Sequence, residues 1–171
     1  MSASFLQAVA DNFSYISKDR IDPAAMLLHA HHPSAGAIVL FSGETRNVSH
    51  GKEVDHLFYE AHPTMASKMI REILEEAKQK WDLSIAIAQH RVGKVSVMES
   101  AVVVITASAH RSEAYAANRF IIDRLKHEAP IWKCEFFTDG TSEWGGNCNC
   151  ASITGDPNKH VYESLNQSSV G

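Results

Sequence analysis

Four side chains that can carry positive charge lie near one another in the sequence, at the ends of predicted elements. His110 and Arg111 fall where a strand ends and a helix begins. Lys126 falls in the last turn of that helix, and Lys133 follows Pro130 by three residues in a short extended segment. Backbone N–H groups at a helix start bind anions together with arginine and histidine. A lysine beside other cations has a lowered pKa and can act as a base or a nucleophile. The pattern indicates chemistry on an anionic substrate such as a phosphorylated one.

The same residues also fit a purely structural interpretation. Polar residues are common at a helix start, and Lys126 would complement the C-terminal end of the helix dipole. Arg119, Asp123 and Lys126 stand at helical spacing, which suits a solvated charged face. Lys133 would then point outward from a strand. The spacings match no metal or nucleophile motif, so spacing alone leaves both interpretations open.

Five short motifs closely resemble those of the large, catalytic subunit of molybdopterin synthase, in that family's order and with similar spacing. They are FSGETRN at 41–47, YEAHPTM at 59–65, HRVG at 90–93, SAHRS at 108–112, and LK at 125–126 with APIWK at 129–133. The resemblance extends over about residues 13–144, and the ending WGGN at 144–147 looks more like eukaryotic members than bacterial ones. It implies an α+β fold, α/β hammerhead-like, with a mainly antiparallel sheet and two long helices.

The resemblance also implies a reaction and its partners. That family converts cyclic pyranopterin monophosphate (precursor Z) into molybdopterin by installing two sulfurs as a dithiolene. The sulfur arrives as a thiocarboxylate on the C-terminal Gly-Gly of a small ubiquitin-like sulfur carrier. No cofactor or metal is implied.

Six positions match the family's functional residues. The catalytic ones are Lys126 and Lys133, and the substrate-binding ones are Arg46, His110, Arg111 and Glu135. The residue types suit the chemistry, because the planar donor fork of arginine fits phosphate oxygens. Positive groups would also offset the repulsion between an anionic thiocarboxylate and an anionic substrate. A lysine with a lowered pKa would move protons as the ring system rearranges.

Fourteen residues separate Ser112, the expected helix cap, from Lys126, so their Cα atoms lie roughly 21 Å apart at ~1.5 Å per residue. His110 and Arg111 therefore lie at the other end of the helix from Lys126. A pterin phosphate about 10 Å long does not easily touch both ends. The sequence predicts a homodimer in which the helix start of one subunit completes the site that holds the two lysines and Arg46 of the other. With one small partner at each site, a heterotetramer is expected.

Composition restricts the remaining possibilities. The chain has 171 residues and a mass of 18.9 kDa, with a net charge of -4 and a pI of about 6.2, which argues against a general nucleic-acid surface. No run approaches the ~18 apolar residues of a membrane span. The three cysteines, Cys134, Cys148 and Cys150, follow no secretory leader, so a reduced cytosolic location is expected. The pair Cys148 and Cys150 lacks the second pair of a zinc site, and no carboxylate or thiol pair accompanies the loop histidines His29, His31 and His32 in the sequence, so solvated histidines are expected there.

The pattern of apolar residues predicts one domain over 1–146 and a polar, flexible tail over 147–171. Strands are expected at 13–17, 37–42, 53–60, 84–90, 101–107 and 131–137, the last being the final strand. Helices are expected at 23–28, from Pro63 to about Trp81, and from a Ser112 cap to the end before Pro130. Loops are expected at 43–51, 91–100 and 138–146.

Two other functions fit part of the pattern. A non-catalytic module that binds a ubiquitin-like tail needs a groove, but it does not need two lysines converging on an Arg/His anion site. A Schiff-base enzyme using Lys133 would usually show a glycine-rich phosphate loop or a cofactor motif, which the sequence lacks.

Overall fold

The computed structural model describes residues 14–145 as an α+β fold. The strands in this range are β1 (Ile16–Ser17), β2 (Ala37–Glu44), β3 (Val48–Ser49), β4 (Lys52–Ala61), β5 (Leu83–Arg91), β6 (Gly93–Ser96), β7 (Ser100–Ser108), β8 (Ile131–Phe137) and β9 (Ser142–Gly145). The helices are α1 (Pro23–Leu28), α2 (Pro63–Lys80) and α3 (Arg111–Glu128). Every strand pair is antiparallel except β1 with β5. The predicted fold class, with two long helices, is confirmed.

The first sheet has the strand order β1-β5-β7-β2 and is covered on both faces. Successive side chains of β7 point to opposite faces, so Val102 and Val104 pack with α2 and α3, while Val103 and Ile105 pack with α1. All nine residues of β7 are buried. Burial on both faces explains why this strand is continuously apolar in sequence instead of alternating.

The second sheet is built around β4, which pairs with β8, β6 and β3, while β9 extends it beyond β8. The antiparallel register sets Tyr59 opposite Lys133 and Leu57 opposite Glu135. Residues two apart on a strand face the same side, so Lys133 and Glu135 share the face that carries Tyr59.

The structure corrects the predicted start of α3. The helix begins at Arg111 and not after a Ser112 cap, because His110 has the extended backbone of an N-cap residue (φ -128°, ψ 152°). The His110 side chain makes no capping hydrogen bond, and the Ser112 hydroxyl donates to the Glu113 carboxylate at 2.6 Å. At the start of α2, by contrast, the His62 ring accepts a hydrogen bond from the Met65 backbone N–H.

All three expected loops contain strands. Residues 91–100 include β6, because Gly93 adopts a positive φ of 83° that turns the chain back along β4. Residues 138–146 include β9, so β8 is not the final strand; Gly140, with φ 83°, lies in the turn between them. The expected loop at 43–51 is shorter, since β2 continues to Glu44 and β3 forms a short hairpin with β4.

Several predictions fall at or beyond the limits of this range. The first strand is shorter than predicted, beginning at Ile16, and residue 13 lies outside the described residues, as do the predicted tail at 147–171, Cys148 and Cys150. Among residues 14–145, no helix combines the length and apolar character needed to cross a membrane. The same range contains no group of three or more His, Cys, Asp or Glu side chains placed to hold a metal ion.

Candidate active site

Lys126 and Lys133 line one cavity, where α3 ends and β8 begins. Its volume is about 100 Å³, and Glu44, Tyr59 and His90 lie in its wall, from β2, β4 and β5 respectively. The two lysines that sequence analysis assigned to catalysis are thus brought together by the fold.

The connection between α3 and β8 explains this arrangement. Ala129 precedes Pro130 and has an extended backbone (φ -66°, ψ 131°), which ends the helix within one residue. The Pro130 carbonyl accepts a hydrogen bond from the His62 N–H at 3.1 Å, which fixes the turn against the start of α2. Leu125 and Ile131 are buried on either side of the turn, so the last helical turn and the first residues of the strand border the same space.

Lys126 is half-buried, and the described residues offer it no hydrogen-bond or ion-pair partner. Burial lowers the pKa of its ammonium group, and the nearby charge of Lys133 and the weaker effect of Arg46 lower it further, against an opposing effect from Asp123. Because burial and cationic neighbours both disfavour the charged form, this amine gives up its proton more readily than an ordinary lysine.

Lys133 has a different environment in the same cavity. Its Nζ donates a hydrogen bond to Glu135 Oε1 at 2.7 Å, and Glu135 is only 6% exposed. Burial alone would raise the pKa of Glu135, but hydrogen bonds from Lys133 and Ser49, with the charges of Lys133 and His50, lower it instead. A buried carboxylate held in its ionised form accepts a strong hydrogen bond and so fixes the position of the side chain that donates it. The amine of Lys133 is therefore held in one position by Glu135, whereas the amine of Lys126 is not held by any of the described residues.

Arg46 lies close enough to the cavity for its charge to lower the pKa of Lys126. It is exposed, on the short connection between β2 and β3. The preceding residue, Thr45, is only 2% exposed, and its backbone exchanges hydrogen bonds with the turn at Met98 and Glu99 at 3.0 and 3.1 Å. This anchor holds the backbone beside Arg46 and leaves the guanidinium free to meet a ligand.

His110 and Arg111 lie in a second cavity, of about 510 Å³, at the opposite end of α3. Gly36 and Ala37 at the start of β2 line it together with the helix start. Fifteen residues along the helix separate Arg111 from Lys126, or about 22 Å at ~1.5 Å per residue. Within one chain, the six predicted site residues therefore form two groups: four around the lysine cavity, and two at the start of α3.

Two residues of the lysine cavity with strongly shifted pKa values, Tyr59 and His90, received no site role from the sequence, although both lie in quoted motifs. Burial raises the pKa of Tyr59 to about 12, with a further contribution from the charge of Glu135. Burial lowers the pKa of His90 to about 4, and the charge of Lys126 acts in the same direction against a hydrogen bond to the Arg91 carbonyl. Strand alternation alone would have placed either residue inward or outward; the pairing of β4 with β8 fixes the direction of Tyr59, and the pairing of β5 with β7 fixes that of His90.

The fold and the cavity together describe a class of protein: an α+β enzyme subunit with one free and one paired lysine at a helix end. The MoaE protein family matches residues 16–128. A molybdopterin synthase catalytic subunit from Thermoplasma volcanium is 41% identical over 129 residues, which cover 75% of this chain and 94% of that protein. One from Bos taurus is 42% identical over 124 residues, 72% of this chain and 66% of that protein.

Solved structures agree with the sequence relatives. The crystal structure of molybdopterin synthase from Staphylococcus aureus has a TM-score of 0.73 at 34% identity, covering 77% of this chain and 96% of that one. The chain therefore belongs to the MoaE protein family. The resemblance to molybdopterin synthase catalytic subunits is confirmed, and so is the predicted class of enzyme, a sulfurtransferase of molybdenum cofactor biosynthesis.

Proposed function

We propose that the lysine cavity transfers sulfur from the thiocarboxylated C-terminal Gly-Gly of a small ubiquitin-like carrier to cyclic pyranopterin monophosphate. Two transfers give the dithiolene of molybdopterin. The observation that carries this proposal is the pairing, in one cavity, of a half-buried lysine without a partner and a lysine fixed by a buried glutamate. Relatives named as catalytic subunits of a synthase support the existence of a further, smaller subunit.

Each transfer exchanges one bond on each reactant without oxidation or reduction. The thiocarboxylate sulfur forms a C–S bond to a side-chain carbon of the pterin, a C–O bond of that carbon breaks and its oxygen leaves, and the carrier's C–S bond breaks. An oxygen from the substrate carbon or from water takes the place of sulfur, so the carrier leaves as a carboxylate. Protons must move on and off oxygen during this exchange, and a basic amine at Lys126 is suited to move them.

Lys133 contributes a fixed positive charge. The thiocarboxylate and the substrate phosphate are both anions, so their approach is unfavourable unless a cation lies between them. An ammonium already oriented by Glu135 needs no reorganisation when charge develops in the transition state. Glu135 is buried against Lys133, so its proposed contribution to substrate binding is to orient this lysine.

Arg46 is proposed to hold the substrate phosphate or the incoming carboxylate, because its guanidinium donates two parallel hydrogen bonds to such groups. The lysine cavity alone, at about 100 Å³, is smaller than the roughly 300–1,000 Å³ of ordinary small-ligand sites. A pterin phosphate and a Gly-Gly tail therefore need additional walls.

A second copy of the chain is proposed to supply those walls. The start of α3 presents His110 and Arg111 in an open cavity of about 510 Å³ that lacks a lysine. A two-fold homodimer would place this anion site beside the lysine cavity of the partner copy and create two equivalent sites. One small carrier at each site makes a heterotetramer.

The proposed reaction is tested by reconstitution. The protein is incubated with cyclic pyranopterin monophosphate and a small carrier in either its thiocarboxylate or its carboxylate form, and molybdopterin is measured by the fluorescence of its oxidised pterin derivative. Product is expected only with the thiocarboxylate. Tight carrier binding without product would instead support a tail-binding module. Covalent trapping of a substrate carbonyl on Lys133 by borohydride, without need for the carrier, would support the Schiff-base alternative.

A further inference from the structure

His90 and Lys126 both line the lysine cavity, and within residues 14–145 neither His90 Nε2 nor Lys126 Nζ has a hydrogen-bond partner. His90 is 6% exposed, and its Nδ1 lies 2.8 Å from the Arg91 carbonyl oxygen. A carbonyl oxygen only accepts, so Nδ1 must carry the proton and donate it. In the neutral ring the other nitrogen, Nε2, is then a bare acceptor.

Three features hold the His90 imidazole in this state. The hydrogen bond to Arg91 selects the tautomer, and Tyr59 packs edge-on against the ring at 4.9 Å between centroids and an angle of 71°. Burial lowers the pKa of His90 to about 4, so the ring remains neutral at physiological pH. Within residues 14–145, no protein group donates a hydrogen bond to Nε2. A fixed acceptor therefore borders the cavity.

Lys126 supplies the complementary property. Its Nζ carries only donors when charged and two donors and one lone pair when neutral. The four-carbon stem is flexible, so without a partner the amine would occupy several positions. Lys133 does not have this problem, because Glu135 already holds its ammonium group.

We infer that His90 is a positioning residue for Lys126: the two side chains line one cavity without a hydrogen bond in this structure, and rotation of the flexible lysine stem would let Nζ donate to His90 Nε2 and so direct its lone pair toward the substrate. The inference rests on the proposed function of Lys126 in proton transfer. It assigns to the HRVG segment at 90–93 a role in the reaction, in addition to its place in β5 and the turn that follows.

Other titratable and charged groups that face His90 and Lys126 also affect the pKa of Lys126. The charged groups are Asp123, Glu44, Arg46, Lys133 and Glu135, on α3, β2, the β2–β3 connection and β8, and the neutral phenol of Tyr59 on β4 is a further titratable group. A variant at His90 leaves all of these in place. An acceptor favours the charged form of a lysine, so His90 raises the pKa of Lys126 relative to a site without it, although burial keeps that pKa below the ordinary value.

The test replaces His90 with two residues that differ in acceptor capacity. His90→Phe keeps a flat ring and excludes water but removes both nitrogens, whereas the side-chain oxygen of His90→Gln reaches the position of Nε2. The pKa of Lys126 is measured by NMR titration of its ¹³C-labelled Cε, identified by its loss in Lys126→Arg. His56→Phe is the matched control, because His56 stacks on Phe136 at 4.6 Å and does not line the cavity.

We expect His90→Phe to lower the pKa of Lys126 by about one pH unit, the scale of one charge-assisted hydrogen bond. The rising limb of the rate against pH should move to lower pH by the same amount, while the maximal rate falls about tenfold because the amine is no longer oriented. His90→Gln should restore both properties toward the wild type. His56→Phe should change neither.

The inference is overturned if Lys126 titrates identically in the wild type and in folded His90→Phe, or if His90→Gln behaves like the Phe variant. Melting temperatures verify that each variant is folded. Because the NMR titration needs no substrate, its outcome is independent of the proposed reaction. If His90→Phe shifts the pKa of Lys126 but the wild-type protein transfers no sulfur, the proposed function is refuted and the His90–Lys126 contact is still supported.

Discussion

If each site combines two copies of the chain, two inactive variants should restore one another. Arg111→Ala removes a residue at the start of α3, and Lys133→Ala removes one from the lysine cavity. The helical path of about 22 Å between Arg111 and Lys126 prevents one substrate from touching both ends within a chain. In a mixed dimer, one of the two shared sites then retains both wild-type residues, and the other lacks both.

The size of the recovery follows from random exchange of subunits. Half of the dimers are mixed and each has one intact site of two, so about one quarter of the wild-type site number should be active. Activity is measured by molybdopterin fluorescence after subunit exchange, and native mass spectrometry verifies that mixed dimers have formed.

A double variant provides the matched control. When Arg111→Ala/Lys133→Ala is mixed equally with wild-type protein, a mixed dimer has no intact shared site, so only the wild-type dimers contribute and about one quarter of the sites stay active. If each site lay within one chain, about half of the sites would stay active. That result, or no recovery from the two single variants despite mixed dimers, would refute the shared site.

Three further predictions concern single residues. Arg46→Lys should lower kcat/KM at least tenfold although charge is kept, because the two-pronged contact is lost; full turnover at ordinary substrate concentration would mean that only charge matters. Glu135→Gln should slow product formation about tenfold while carrier binding, measured by calorimetry, is retained, since Lys133 loses its charged anchor; an unchanged rate would contradict this role. The His90 pKa, about 4 in the fold against about 6.5 unfolded, means that the unfolded state binds more protons below pH 6.5. Stability should therefore fall by ~1.6 kcal/mol between pH 6.5 and 5, a loss that urea titrations should not find in His90→Phe.

The sequence contained the features that bring the two lysines together. Pro130 after the helical pattern predicts both the end of α3 and the extended segment that follows, so local chemistry already predicts that Lys126 and Lys133 lie near one another. The ion pair of Lys133 with Glu135 is also local, because residues two apart on a strand share a face.

The remainder of the cavity depends on contacts distant in sequence. Tyr59 and His90 enter it through the register of β4 with β8 and the packing of β5, which no local pattern specifies. The main cause of the lowered Lys126 pKa could not be predicted from the sequence either. The sequence suggested neighbouring cations, but burial lowers this pKa more than they do. The strands β3, β6 and β9 were missed because each is only two to four residues long; a glycine with positive φ begins β6, and another precedes β9.

The central claim is that sulfur transfer takes place at Lys126 and Lys133. The most direct measurement is a single-turnover assay with preloaded thiocarboxylated carrier, comparing Lys126→Ala and Lys133→Ala with Lys68→Ala. Lys68 is an exposed lysine on α2 that pairs with Glu72, so it controls for loss of a positive charge elsewhere. The account predicts that both cavity variants melt near the wild-type temperature and form molybdopterin at least a hundredfold more slowly, while Lys68→Ala keeps the wild-type rate. Near-normal single-turnover rates in both folded cavity variants would contradict it.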